Sequence, residues 1–133
     1  MKQEIAKNDY YEFHVDTDKN RFYSKLKGFW QKASEVSNYI DDLEKGLESL
    51  SSGLTLLVDN RDVKPPTEEC MKLHVKALEV CNEAGLSRTA LVELQAIVRI
   101  AGGRALRESG VDETSRQFND IKEAENWLDG KDV

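Results

Sequence analysis

Three short β-forming runs, Leu54 to Val58, Thr89 to Leu94 and Ser115 to Phe118, are each followed by a stretch of helical periodicity, and this alternation constrains the fold most. A strand that returns beside its predecessor in the same direction needs a crossover of a dozen or more residues, and the connection is right-handed. Helices of that length link these runs. The chain is therefore expected to form an α/β sheet of mostly parallel strands with helices packed against it.

The segment ahead of them reads differently. Residues 10 to 15 alternate and are rich in β-formers, Asp16 to Asn20 is a turn cluster, and Arg21 to Phe29 alternates again with Phe22, Ser24, Leu26 and Gly28 on one face. An opening hairpin is expected. Val36, Ile40, Leu43, Leu47 and Leu50 then recur at helical steps until Ser51-Ser52-Gly53 ends the stripe. A second helix runs from Thr67 to Gly85, a left-handed stop. A third spans about Gln95 to Ser109 and contains Gly102-Gly103, which costs roughly 1 kcal/mol per glycine against alanine. That pair predicts a kink, an anion site with Arg104 and Arg107, or a close approach of helix to sheet, and the last is favoured. In the terminal helix Asn119 or Asp120 caps, Glu123 completes a capping box, and Ile121, Ala124, Trp127 and Leu128 form the apolar stripe. The expected order is β-β-α-β-α-β-α-β-α, in one domain over residues 10–129 between a flexible tail at 1–9 and another at 130–133.

Charge narrows the partners. Nineteen basic against 25 acidic residues leave a net charge of −6, which repels phosphate backbones and anionic headgroups. Nucleic acid is not expected. No apolar run reaches the roughly 18 residues that span a bilayer, and the start lacks the apolar core of a signal peptide, so the cytoplasm is the expected compartment. Cys70 and Cys81 lie on one helix roughly 16 Å apart by its rise, too far to bridge, and read as small buried hydrophobes.

Between Leu54 and Thr67 an apolar run gives way at Asp59 to polar residues, as the carboxyl end of a parallel strand does where it opens into a functional loop. Along that edge Trp30 offers a flat apolar contact, Asp59, Asn60, Arg61 and Asp62 offer polar orientation, and Pro65-Pro66 holds the loop before Thr67 in few conformations. Asp59 and Asp62 read either as a cation or acid–base pair or, more simply, as ion pairs with Arg61 and Lys64. His14 and His74 have no metal-ligand spacing, and no nucleophile elbow or phosphate-binding glycine loop occurs, so neither metal nor cofactor is expected. The second helix carries an apolar arc of roughly 220°, wider than one sheet contact needs. Met71, His74, Val75 and Leu78 on that arc are candidates for a neighbouring helix, a homodimer contact or an apolar ligand.

Four segments carry a resemblance: Leu26-Lys27-Gly28-Phe29, Gly53 through Asp62, Asn82-Glu83-Ala84-Gly85-Leu86, and Asp120 through Leu128. Together they resemble the SpoIIAA-like proteins of the STAS superfamily, over Tyr10 to Leu128. The resemblance implies successive β-α units and a regulator of bacterial type that binds a protein partner rather than catalyses. Antagonists of this kind are switched by phosphorylation of a serine at the start of the second helix. Here only Thr67 offers a hydroxyl, beside Glu68 and Glu69, so the switch is expected to be absent. A likeness to CRAL-TRIO lipid-transfer domains keeps an apolar small molecule as the alternative, and a carboxylate-based enzyme ranks last.

Overall fold

The computed structural model describes residues 1–131 and has a single six-stranded sheet whose strands lie side by side in chain order. The strands are β1 (Lys2–Lys7), β2 (Tyr11–Asp16), β3 (Arg21–Gly28), β4 (Thr55–Val63), β5 (Arg88–Val92) and β6 (Ser115–Phe118). The first three pair antiparallel, and β3 to β6 pair parallel. The crossovers carry α1 (Tyr39–Leu47), α2 (Glu68–Glu83) and α3 (Ala96–Ser109), and α4 (Ile121–Leu128) closes the chain. This is the expected α/β architecture, with a strand added at its front.

That added strand corrects one expectation. The sequence predicts a flexible tail over residues 1–9, yet Lys2 to Lys7 pair with β2 from Lys2 opposite Asp16 to Lys7 opposite Glu12, across a bulge between Glu4 and Ala6. Charged residues and a bulge suit an edge strand, because they discourage further pairing. In the tail expected at 130–133, Gly130 and Lys131 close the last turn through bonds to the carbonyls of Trp127 and Asn126, and residues 132 and 133 lie outside the described residues.

Strand alternation sends Phe13, Phe22, Leu26, Leu56, Val58 and Leu91 to one face, where they meet α1, α2 and α3. The opposite face, with Tyr23, Leu57, Ala90, Val92 and Phe118, is covered by Ala124 and Leu128 of α4. Local chemistry sets the helix ends. Thr67 caps α2 by accepting from the Cys70 N–H, Asp120 caps α4 by accepting from Glu123, and Gly85 reverses the chain after α2 at φ +101°. A Cβ at Gly85 would lie 2.7 Å from Cα of Ser52, so glycine is required there twice over.

β4 is longer than expected. It continues through Asp59, Asn60, Arg61 and Asp62, with Lys25 opposite Asp59 and Lys27 opposite Asp62, so the functional loop begins only at Lys64. The polar residues read as a loop are held by the neighbouring β3, a tertiary constraint that outweighs their low strand propensity. α3 runs as one helix through Gly102-Gly103, without the kink that was one of the readings of that pair.

Candidate functional site

The carboxyl edge of the sheet gathers the residues singled out above but divides them between environments. Trp30, expected as an exposed contact, is fully buried at 0% exposure, with its ring 4.8 Å from Tyr39 and 4.6 Å from His74. Its indole N–H donates to the Lys27 carbonyl at 3.0 Å. An indole satisfied in this way belongs to the core.

Alternation along β4 separates Asp59 from Asn60. Asp59 shares the α4 face with Leu57, whereas Asn60 follows Leu56 and Val58 on the face of α2 and α3. Arg61 grips Asp59 through Nε and Nη2, each at 2.9 Å, and its backbone N–H adds a third bond at 3.1 Å. Burial pushes the Asp59 carboxyl up, but the bonds from Arg61 outweigh it and leave the pKa below the usual value. Such a carboxylate stays ionised and saturated. Asp62 is exposed and pairs with Lys25 at 3.3 Å, not with Asp59. Among the described residues no group of three or more His, Cys, Asp or Glu could hold a metal ion.

Pro65 and Pro66 lead into Thr67, and the crossing is stitched to the segment after β3. The Lys64 N–H donates to Gly28 and the Thr67 N–H donates to Trp30, at 2.9 and 3.1 Å. The Thr67 hydroxyl donates to the Gln31 carbonyl at 2.7 Å while accepting from Cys70 at 3.4 Å. Both capacities of that hydroxyl are used.

The wide arc of α2 is filled by its own chain. Met71 and Leu78 are buried, His74 packs on Trp30 and Tyr39, and Val75 packs at the border of the same core. Arg104 of α3 pairs with Glu68 at the start of α2. Neighbouring helices therefore account for the arc's width, in place of a dimer contact by Met71 and Leu78. Cys70 and Cys81 are free and buried, and burial pushes the Cys81 thiol up to about 12.

Two features near the carboxyl edge, where Glu93 to Gln95 are expected to lie, have roles that the sequence pattern does not show. Glu93, at the end of β5, is buried beneath α3, where it accepts from Gln117 Nε2 at 2.8 Å and from Asn60 Nδ2 at 3.4 Å. Burial raises its pKa, partly offset by those two bonds. Gly102 lies directly over it, and a Cβ there would collide with the carboxylate and come within 2.9 Å of Leu91. A carboxylate closing an apolar strand nine residues before a glycine pair was the signal, but only the fold brings the two together. The second feature is at the start of the same helix, where Leu94, just ahead of it, and Ile97 and Ile100 on it are 65%, 61% and 70% exposed. Ile97 and Ile100, three apart, share one flank of α3.

Between α2, α3 and the sheet lies a cavity of about 70 Å³, lined mainly by apolar side chains. Asn60 is 8% exposed on its wall, and its Oδ1 has no hydrogen-bond partner among the described residues.

This arrangement is a SpoIIAA-like fold. A protein of the DUF3478 family with a SpoIIAA-like fold from Shewanella loihica PV-4 superposes with a TM-score of 0.59 at 15% identity, over 96% of this chain and 92% of its own. The anti-sigma factor antagonist SpoIIAA in its unphosphorylated form superposes with a TM-score of 0.57 at 12% identity, over all of both chains. No protein-family model and no curated protein sequence matches the chain. At these identities the likeness establishes the fold, not a shared activity.

Proposed function

We propose that the chain is a non-catalytic association domain, acting in the cytoplasm, that binds a protein partner at the carboxyl edge of its sheet. The observation that carries this is the exposure of Leu94, Ile97 and Ile100 together at one end of α3. Clustered branched aliphatic side chains on a surface are costly in water and mark contact sites. Arg61 at the end of β4, Lys64 after it and Arg99 of α3 are exposed along the same carboxyl edge. A partner with an apolar centre and an acidic rim suits this surface. The similarity to an anti-sigma factor antagonist fits a regulatory use.

Regulation by a phosphate at Thr67 is not part of this reading, because its hydroxyl is engaged as donor and acceptor in capping α2. Nor is catalysis by Asp59 and Asp62, since each carboxylate has its own cation. Affinity capture tests the association. Partners recovered by the unaltered chain should be lost with Ile97→Asp or Ile100→Asp and weakened with Arg61→Glu, whereas equal recovery from all the variants would reject the surface.

A second reading has its own observation, the cavity between α2 and α3. It supports a small apolar ligand in place of, or alongside, a protein.

A further inference from the structure

The cavity between α2, α3 and the sheet has a closed end and an open one. Val58 of β4, Leu78 of α2 and Ala105 of α3 are buried on its wall. Pro65, Pro66 and Ala101 on the same wall are half-buried, and Lys64 is exposed. The mouth therefore lies between the crossing after β4 and the second turn of α3. Ala101 stands one turn beyond Ile97 on the same flank of α3 and follows Ile100 in the chain, so the exposed isoleucines border that mouth. The apolar flank and the apolar cavity thus meet at Ala101.

A free molecule small enough to enter the cavity would leave Ile97 and Ile100 in water, whereas a side chain carried on a larger partner fills the one while the partner's own surface covers the other. Size sets which side chain. The volume of about 70 Å³ is roughly five times the 10–15 Å³ that one water needs, room for the four heavy atoms of a leucine, isoleucine or methionine side chain and too little for the ten of a tryptophan. Pro65 and Pro66 hold the rim in few conformations, so the mouth is formed before a partner arrives. Charge sets what flanks the anchor. Lys64 on the rim makes no ion pair among the described residues, Arg61 and Arg99 are exposed along the same edge, and Glu68 at the start of α2 is already paired with Arg104. Resting on the association reading above, we infer that the partner docks through a segment with one aliphatic anchor side chain, inserted between Leu78 and Ala105, beside an acidic residue that meets Lys64.

Nitrogen–proton correlation spectra of the labelled full chain test this with three capped dipeptides: acetyl-Leu-Glu-amide, acetyl-Ala-Glu-amide and acetyl-Leu-Lys-amide. The first should shift the amides of Leu78, Ala101 and Ala105 saturably with a roughly millimolar Kd. The second, which lacks the anchor, should bind about tenfold more weakly, and the third about threefold more weakly at low salt only. Equal binding of the leucine and alanine peptides, or no binding of either, would overturn the anchor. Ala101→Leu narrows the mouth and should abolish binding while the spectrum stays dispersed, and undiminished binding to the folded variant would reject the site. Because that variant can fail to fold, the exposed Lys64→Glu provides a second arm: it should reverse the preference between the glutamate and lysine peptides, and an unchanged preference would reject the acidic neighbour. Affinity capture separates this inference from the reading beneath it. Partners lost with Ile97→Asp but retained with folded Ala101→Leu would keep the surface and remove the anchor, leaving the cavity to a free small ligand. Partners retained with both would reject the surface itself.

Discussion

Gly102 and Gly103 are neighbours on α3 with different tasks. A Cβ at Gly102 collides with the buried Glu93 carboxylate and with Leu91, whereas one at Gly103 meets the far ends of Arg107 and Gln117 at 3.3 Å. Gly102→Ala should therefore lose about 2 kcal/mol in urea unfolding, despite a gain in helix propensity of about 1 kcal/mol. Gly103→Ala should stay within about 1 kcal/mol of the unaltered chain. The glycine pair was legible in the sequence as a close approach, but Glu93, the group approached, was not. Glu93 also makes a prediction of its own. Its folded pKa is raised by burial, so in the charged state it destabilises the fold, and this penalty vanishes as pH falls through the folded pKa to the unfolded value near 4.5. Glu93→Gln, which never charges, should gain stability over the unaltered chain at pH 7 to 8, and that advantage should shrink steadily toward pH 4.5 in parallel denaturation curves.

At the scale of elements, α4 is held by its apolar stripe and also by one buried cation. Arg21, 2% exposed at the start of β3, donates to Glu125 at 2.5 Å, to Asp129 at 2.8 Å and to the Thr55 hydroxyl at 2.9 Å. The network thus joins β3 and β4 to the last helix. Removing the cation leaves two carboxylates facing each other beside Lys19 alone. Arg21→Met, which keeps the apolar stem, should cost about 2–4 kcal/mol, and amides of α4 should lose hydrogen-exchange protection before those of β3. The stripe of α4 was readable because Ile121, Ala124, Trp127 and Leu128 repeat at helical steps. β1 was not, because Lys2 to Lys7 contains little besides Ile5 and Ala6 to signal a strand, and its conformation is imposed by the hydrogen bonds of β2. The same cause lengthened β4, whose polar stretch Asp59 to Asp62 is held beside β3.

At the scale of the molecule, three helices cover one face of the sheet and a single helix covers the other, so the two halves of the core differ in what they bury. Strand–helix alternation made the sheet and its crossovers legible. The candidate site was less so, because both the exposed flank of α3 and the cavity depend on how α2 and α3 pack together on the sheet, which periodicity does not encode. The three-helix side alone contains a histidine at its centre. His74 of α2 packs on Trp30 and Tyr39, with Tyr39 Oη 3.4 Å from its Nδ1, and burial depresses its pKa from 6.5 to about 4. In the folded chain the ring stays neutral where the unfolded chain would take up a proton. Stability from this group is thus complete above pH 6.5, falls as pH drops below 6.5, and levels off below about 4. The full span is worth about 3 kcal/mol, a large share of the stability of an ordinary domain. Urea midpoints measured from pH 7.5 to 4 should fall along this window, and in His74→Leu the part of the slope between 6.5 and 4 should disappear. Persistence of that slope in His74→Leu would rule out this assignment.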